Sequence, residues 1–225
     1  MCTVSSSAIA QKMVFFVLFY VVYFNALLLT LVPQIYTSPV HLVYLLLFYG
    51  TAFIDGMVRP LPEKREVDTY TKTLIVFFGL QPFLFVLAFY ENLSLITRFL
   101  PPYDSQLVSY AGISLYIIGA ALSVGSRVQL GRQGSGRIEI REGHTLVTTG
   151  LYARVRHPMY SGGLVGIIAF GLVFRCVAVM LFAIALFFVV FQKRWKREEQ
   201  LLEQEFGEQY REYMKRTRRL IPGVY

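Results

Sequence analysis

Long uncharged apolar runs, separated by short polar segments, set the rhythm of this chain. Crossing a bilayer core of roughly 30 Å takes about 20 mostly apolar residues. Met13–Pro33 is such a run, with Asn25 and Thr30 as its most polar members. Val40–Val58 follows, interrupted only by Asp55, then Thr73–Tyr90 with its Gln81-Pro82 pair, and Leu107–Gly125, rich in small residues. The last run, Met159–Gln192, has 34 residues. As one helix it would be about 50 Å long and would strand Arg175 near the membrane centre, at a cost of roughly 2.5–3.5 kcal/mol. A hairpin of two short helices instead sends Arg175 to the far interface. Its glycines 162, 163, 166 and 171 then let the first arm pack closely on its neighbours. The pattern predicts an all-α, polytopic membrane protein with about six transmembrane helices.

Charge supports this topology. With the amino terminus inside, 20 of the 22 basic residues fall on inner segments, and only Arg98 and Arg175 fall outside. That is the positive-inside bias, so the formal net charge of +8 reports membrane asymmetry and gives no reason to expect a nucleic-acid partner. Both termini are expected in the cytosol, in the inner membrane of a bacterium or the endoplasmic reticulum of a eukaryote. The first run exceeds the 7–15 residues of a secretory h-region and is expected to remain as a signal anchor.

Composition agrees: 55% of the 225 residues are hydrophobic and 16% charged, against about 25% charged in soluble domains. Cys2 and Cys176 match no metal-binding or redox spacing, so no metal site is expected. Residues 1–106 read as three spans without a recognised motif, where Asp55 and Arg59, four apart, look like a topology-fixing pair. His41 is expected to face the headgroups.

Chemistry gathers in two inner-face segments of residues 107–225. One is the 33-residue loop Ser126–Pro158, of a length usually reserved for function. It opens with Gly131-Arg-Gln-Gly-Ser-Gly136, which lacks a preceding strand and a P-loop lysine and reads as a flexible turn. It ends on Arg156-His157-Pro158, where Pro158 suits a helix start and sets a cation and an imidazole beside N–H groups that favour anions. The other is the tail from Lys193. Arg194 and Glu198 share a helix face there, and Leu202, Phe206, Tyr210, Tyr213, Met214 and Thr217 form one stripe. That stripe predicts an amphipathic helix lying on the membrane surface.

Taken together, His144, Leu146, Val147, Gly150 and Tyr152, then Arg156-His157-Pro158, Tyr160 and Gly162, and finally Arg194 with Glu198-Glu199 resemble the isoprenylcysteine carboxyl methyltransferases and the related phospholipid methyltransferases. The resemblance covers about residues 107–225. It implies a cytosolic S-adenosylmethionine site lined by His144, Leu146, Val147, Gly150, Tyr152, Arg156, His157, Pro158 and Tyr160, closed by Glu198 and Glu199. Arg194 would sit where that site meets a lipid-open tunnel and would orient the acceptor. Arg194 and Glu198 are the implied catalytic residues, Glu198 acting as a base or only as a clamp. One departure is Gln133-Gly134, where relatives often carry an aromatic residue. The implied reaction is O-methylation of an isoprenylcysteine-type carboxylate on a lipidic or prenylated substrate, with the phosphatidylethanolamine amine as second choice. An NADPH-dependent, sterol-reductase-like enzyme and a non-catalytic membrane protein remain as rivals.

Overall fold

The computed structural model describes residues 6–60, 69–92 and 105–223. Lys64, Arg65 and Arg98, used in the charge argument, and Cys2 lie outside them. Helix α1 (Ser6–Phe16) runs through a π-helical stretch, Val17–Phe24, into α2 (Asn25–Leu31). Mid-span Asn25 is satisfied within the protein, as lipid demands. Its amide donates to the Tyr20 carbonyl at 2.8 Å, and its oxygen accepts from the Tyr36 and Tyr49 hydroxyls. Helix α3 (Pro39–Val58) starts with proline in its first turn. Helices α4 (Thr69–Gly79) and α5 (Gln81–Asn92) form one apolar rod broken at Leu80, beside Pro82. Helix α6 (Gln106–Leu130) is capped by Ser105, whose hydroxyl accepts from the Leu107 N–H.

The hairpin is present, with arms of unequal length. Helix α7 (Pro158–Val173) has 16 residues and α8 (Val177–Phe206) has 30, so only the first arm is short. Arg175 sits in the turn with φ of 53°. Glu91 at the end of α5 fixes this turn: its carboxylate accepts from the Ala178 and Val179 N–H groups at 2.7 Å each. An acceptor there satisfies two otherwise orphaned donors and complements the helix dipole. Among the described residues, five helices are long and apolar enough to cross a membrane, and α7 is a shorter apolar helix. Large side chains on their outer faces are exposed, among them Phe15, Leu46, Ile75, Leu107 and Val189, as expected of surfaces solvated by lipid.

Glycine sets the tightest helix contact, between α6 and α7. A Cβ on Gly162 would stand 2.5 Å from the Gly119 carbonyl oxygen, and one on Gly119 would stand 2.9 Å from the Gly162 carbonyl oxygen. Backbone therefore meets backbone, which only small residues permit. A ring cluster of Phe24, Tyr44, Phe85, Phe170 and Phe174 fills the centre of the bundle. His41 belongs to that core instead of the headgroup layer: it is buried and stacks on Phe174 with ring centroids 4.6 Å apart.

The tail also departs from expectation. Helix α8 stops at Gly207, where φ is 51°, and α9 (Glu208–Arg216) starts in a new direction. Tyr210, Tyr213 and Thr217 are buried, so the apolar stripe packs on protein and is not left for lipid. Residues 217–220 then run beside the loop. The Arg156 and His157 N–H groups donate to the Arg218 and Arg219 carbonyls at 2.7 and 3.0 Å, and Val155 and Arg218 form an isolated parallel bridge. No longer strand forms among the described residues.

Candidate functional site

The loop after α6 is clasped by arginines. Arg127 Nη1 donates to the Gly134 carbonyl at 2.6 Å, and Arg194 Nη2 donates to the Gly136 carbonyl at 2.8 Å. The Arg59 guanidinium lies 3.4 Å from where a Gly136 Cβ would project. The glycine-rich segment is thus a turn pinned by side chains from α6 and α8 and approached by Arg59 at the end of α3. Gly150 has a comparable role. Its φ is 55°, and a Cβ there would stand 2.5 Å from the Gln129 amide, which bonds the Thr149 carbonyl and the Leu151 N–H.

Pro158 opens α7 as expected, which holds Arg156 and His157 against α8. Here the adjacent glutamates part company. Glu199 is buried and accepts from Arg156 Nε at 2.8 Å and Arg219 Nη2 at 2.9 Å, with His157 Nε2 at 3.4 Å. Glu198 accepts instead from the Tyr160 hydroxyl at 3.0 Å, and that hydroxyl accepts from Arg194 Nε at 2.9 Å. The result is a chain, Arg194 to Tyr160 to Glu198, linking α7 and α8. Arg156 is further anchored by the Thr217 carbonyl at 2.6 Å.

These groups line a cavity of about 770 Å³. Of the residues named from the sequence, His144, Leu146, Val147 and Tyr152 lie on its wall, as do Arg156, His157, Tyr160, Arg194 and Glu198. Gly150, Pro158 and Glu199 do not: the first shapes the loop, the second starts the helix, and the third ties loop, helix and tail together. Aromatic residues of the amino-terminal half, Phe15, Phe16, Phe19, Phe48 and Phe53, also line the cavity, as do Phe187 and Phe191 of α8. One continuous space is therefore bordered by both polar and aromatic side chains.

Tyr210 and Tyr213 are not among the site residues expected from the sequence. Both line the cavity. The Tyr213 hydroxyl donates to the Tyr152 carbonyl at 2.7 Å, whereas the buried Tyr210 hydroxyl has no partner among the described residues. Burial raises the pKa of Tyr152 and Tyr210 well above the usual phenol value and that of Tyr213 to about 12, so all three remain protonated donors. Burial also holds His144 below the ordinary histidine value of 6.5, against the pull of Glu205. It is therefore a neutral ring at pH 7.

Comparison with known proteins places this architecture. Residues 107–209 match the family described as phospholipid methyltransferase. Protein-S-isoprenylcysteine O-methyltransferase B of Arabidopsis thaliana is 36% identical over 121 residues, which is 52% of this chain and 60% of that protein. The chain thus spans about three fifths of that relative's length. A probable protein-S-isoprenylcysteine O-methyltransferase of Oryza sativa subsp. indica is 29% identical over 186 residues, covering 80% of this chain and 93% of the rice protein. The solved structure of the eukaryotic intramembrane Ras methyltransferase isoprenylcysteine carboxyl methyltransferase superposes with a TM-score of 0.64. It is 24% identical and covers 96% of this chain and 77% of its own. The fold is shared, and the chain resembles the integral-membrane methyltransferases that its motifs suggested.

Proposed function

We propose that this chain is an S-adenosylmethionine-dependent methyltransferase that esterifies the carboxylate of an isoprenylcysteine-type lipidic acceptor at the cytosolic face of a membrane. The observation that carries this reading is one cavity lined both by the Arg194–Tyr160–Glu198 chain and by aromatic side chains. A polar donor and a greasy acceptor would meet there without passing through water.

The residues present fit the donor. Glu198 is an acceptor for its ammonium, and the unpartnered Tyr210 hydroxyl and the His157 ring are available to its polar groups. His144, Leu146, Val147, Tyr152, Arg156 and Tyr160 complete the wall. When bound, S-adenosylmethionine supplies an electrophilic methyl; transfer breaks a sulfur–carbon bond, forms an oxygen–carbon bond and cancels a charge on each partner. A carboxylate is already a nucleophile, so the protein needs no general base and contributes alignment and exclusion of water. Arg194, with its Nε and Nη2 held by Tyr160 and Gly136, is preset to orient that carboxylate. Glu199 positions Arg156 and the tail and does not touch the donor.

In this reading residues 107–225 form the donor-binding core and residues 1–106 supply the acceptor side. Both termini are cytosolic, α7 serves as the sixth crossing, and α8, longer than a bilayer core requires, carries Arg194 to Glu199 past the interface. A second reading, N-methylation of phosphatidylethanolamine, draws on the family matched by residues 107–209 and on Glu198, which faces the cavity and could take a proton from an amine. Radiolabelled methyl transfer to a farnesylcysteine analogue and to phosphatidylethanolamine, in parallel, separates the two. Absence of donor binding by calorimetry in nanodiscs would refute both.

A further inference from the structure

The cavity has a second cationic surface, contributed by the amino-terminal half. Lys12 of α1, Arg59 at the end of α3 and Arg127 of α6 all line it. Asp55 is shared between two of them: one carboxylate oxygen accepts from Arg59 Nη2 and the other from Arg127 Nε. Among the described residues, the Lys12 ammonium donates to a neutral group, the Met57 carbonyl, at 2.8 Å. Nearby Glu139, which also faces the cavity, is taken by Arg141 at 2.7 Å. Asp55 thus meets two of these three cations. Arg59 Nε is buried with no hydrogen-bond partner. Three positive charges lining one cavity make a surface that attracts anions.

The position of this surface gives it a ligand. Arg59 abuts residue 136 on one side while Arg194 bonds the Gly136 carbonyl from another. The cationic surface therefore adjoins the proposed acceptor site, at the margin of the aromatic wall. We propose that Arg59 and Lys12, with Asp55 holding Arg59 in place, form an anion subsite that receives the carboxylate or phosphate of a membrane amphiphile. Resting on the methyltransferase reading, it makes the first half of the chain a determinant of acceptor choice. The net charge of Lys12, Arg59 and Asp55 selects anionic headgroups over neutral ones, and the aromatic wall accepts the hydrocarbon.

Full-length protein in phosphatidylcholine nanodiscs tests this with two variants, Arg59→Gln and Lys12→Gln. Asp55 keeps Arg127 in the first, and the second removes no ion pair described above. For a farnesylcysteine carboxylate, each variant should raise KM about tenfold, the scale of one charge-assisted hydrogen bond, with a smaller change in kcat. Donor affinity by calorimetry should stay within about twofold, Arg59→Lys should recover part of the loss, and the binding advantage of the carboxylate over its neutral amide, read by competition, should shrink. Binding of a fluorescent lysophosphatidate, measured without donor, should weaken in the same variants if lipid phosphate is the natural occupant, whatever happens to the farnesylcysteine KM. That arm stays readable even if no methyl transfer occurs, so failure of the enzyme assignment and failure of the subsite are distinct results. Unchanged KM, amide discrimination and lysophosphatidate binding in both variants would overturn the proposal. So would a loss of donor affinity equal to the rise in KM, which would assign Arg59 to the donor.

Discussion

Arg156 and Glu199, 43 residues apart, form a 2.8 Å ion pair whose side chains are only 10% and 8% exposed. This contact carries the loop before α7 onto the end of α8, and Arg219 brings the tail to the same carboxylate. Adjacent Glu198 turns to the cavity, about 100° around the helix.

The two glutamates should therefore fail differently. Glu199→Gln should cost about 3–5 kcal/mol of stability, since it leaves buried arginines without their counter-charge. Glu198→Gln should leave the melting temperature nearly unchanged and weaken donor binding about tenfold or more. Thermal melts and calorimetry on both variants decide this. Equal destabilisation would reject the division of labour.

Tyr210→Phe separates ligand contact from packing. Its hydroxyl is buried without a partner, so removal should leave stability equal or slightly higher. If the donor satisfies that hydroxyl, its affinity should fall about fivefold, one ordinary hydrogen bond. Tyr213→Phe breaks the bond to the Tyr152 carbonyl and should instead lower the melting temperature.

Arg194→Lys should reduce turnover much more than donor affinity. A lysine supplies one point charge where the guanidinium bonds Tyr160 Oη and the Gly136 carbonyl together. Single-turnover methyl transfer, with the donor Kd measured separately, is the check. A matching loss in both would place Arg194 at the donor.

Acid should loosen the loop. Because the folded chain holds His144 below 6.5, the unfolded chain binds more protons between that value and the folded pKa. Stability contributed by the neutral ring is complete above about 6.5 and is lost as pH falls through the lower folded value. Melting curves from pH 7.5 to 5 should show this decline, and His144→Gln should flatten it. An unchanged slope would exclude His144 as the source.

Gly162→Ala should disrupt the α6–α7 seam, because a Cβ there meets the Gly119 carbonyl at 2.5 Å. Overpacking of this kind costs about 1–3 kcal/mol. Gly166, which has nothing within 4 Å, should tolerate the same change, and comparative thermal melts test the pair.

The apolar runs, the proline starting α7 and the hairpin turn at Arg175 were legible in the chain because each follows from local chemistry: bilayer thickness, a missing N–H, and the cost of charge in hydrocarbon. Most of the site residues that the motifs named also line the cavity. Tyr210 was hidden because an apolar stripe looks the same whether it meets lipid or protein, and only the break at Gly207 turns it onto the loop. Arg59 was hidden because its four-residue spacing from Asp55 explained it locally, while its neighbours Arg127 and Gly136 come from elements far along the chain.

What the chain alone determines is therefore one-dimensional: which segments leave water, which residues carry charge, and which motif they form. Which of two consecutive glutamates binds and which braces, and how the first half of the chain borders the site, depend on helix rotation and on contacts between remote segments. Packing and ion pairing settle those contacts only when the whole bundle closes, since an ion pair such as Arg156–Glu199 gains its strength from burial that neither segment has by itself.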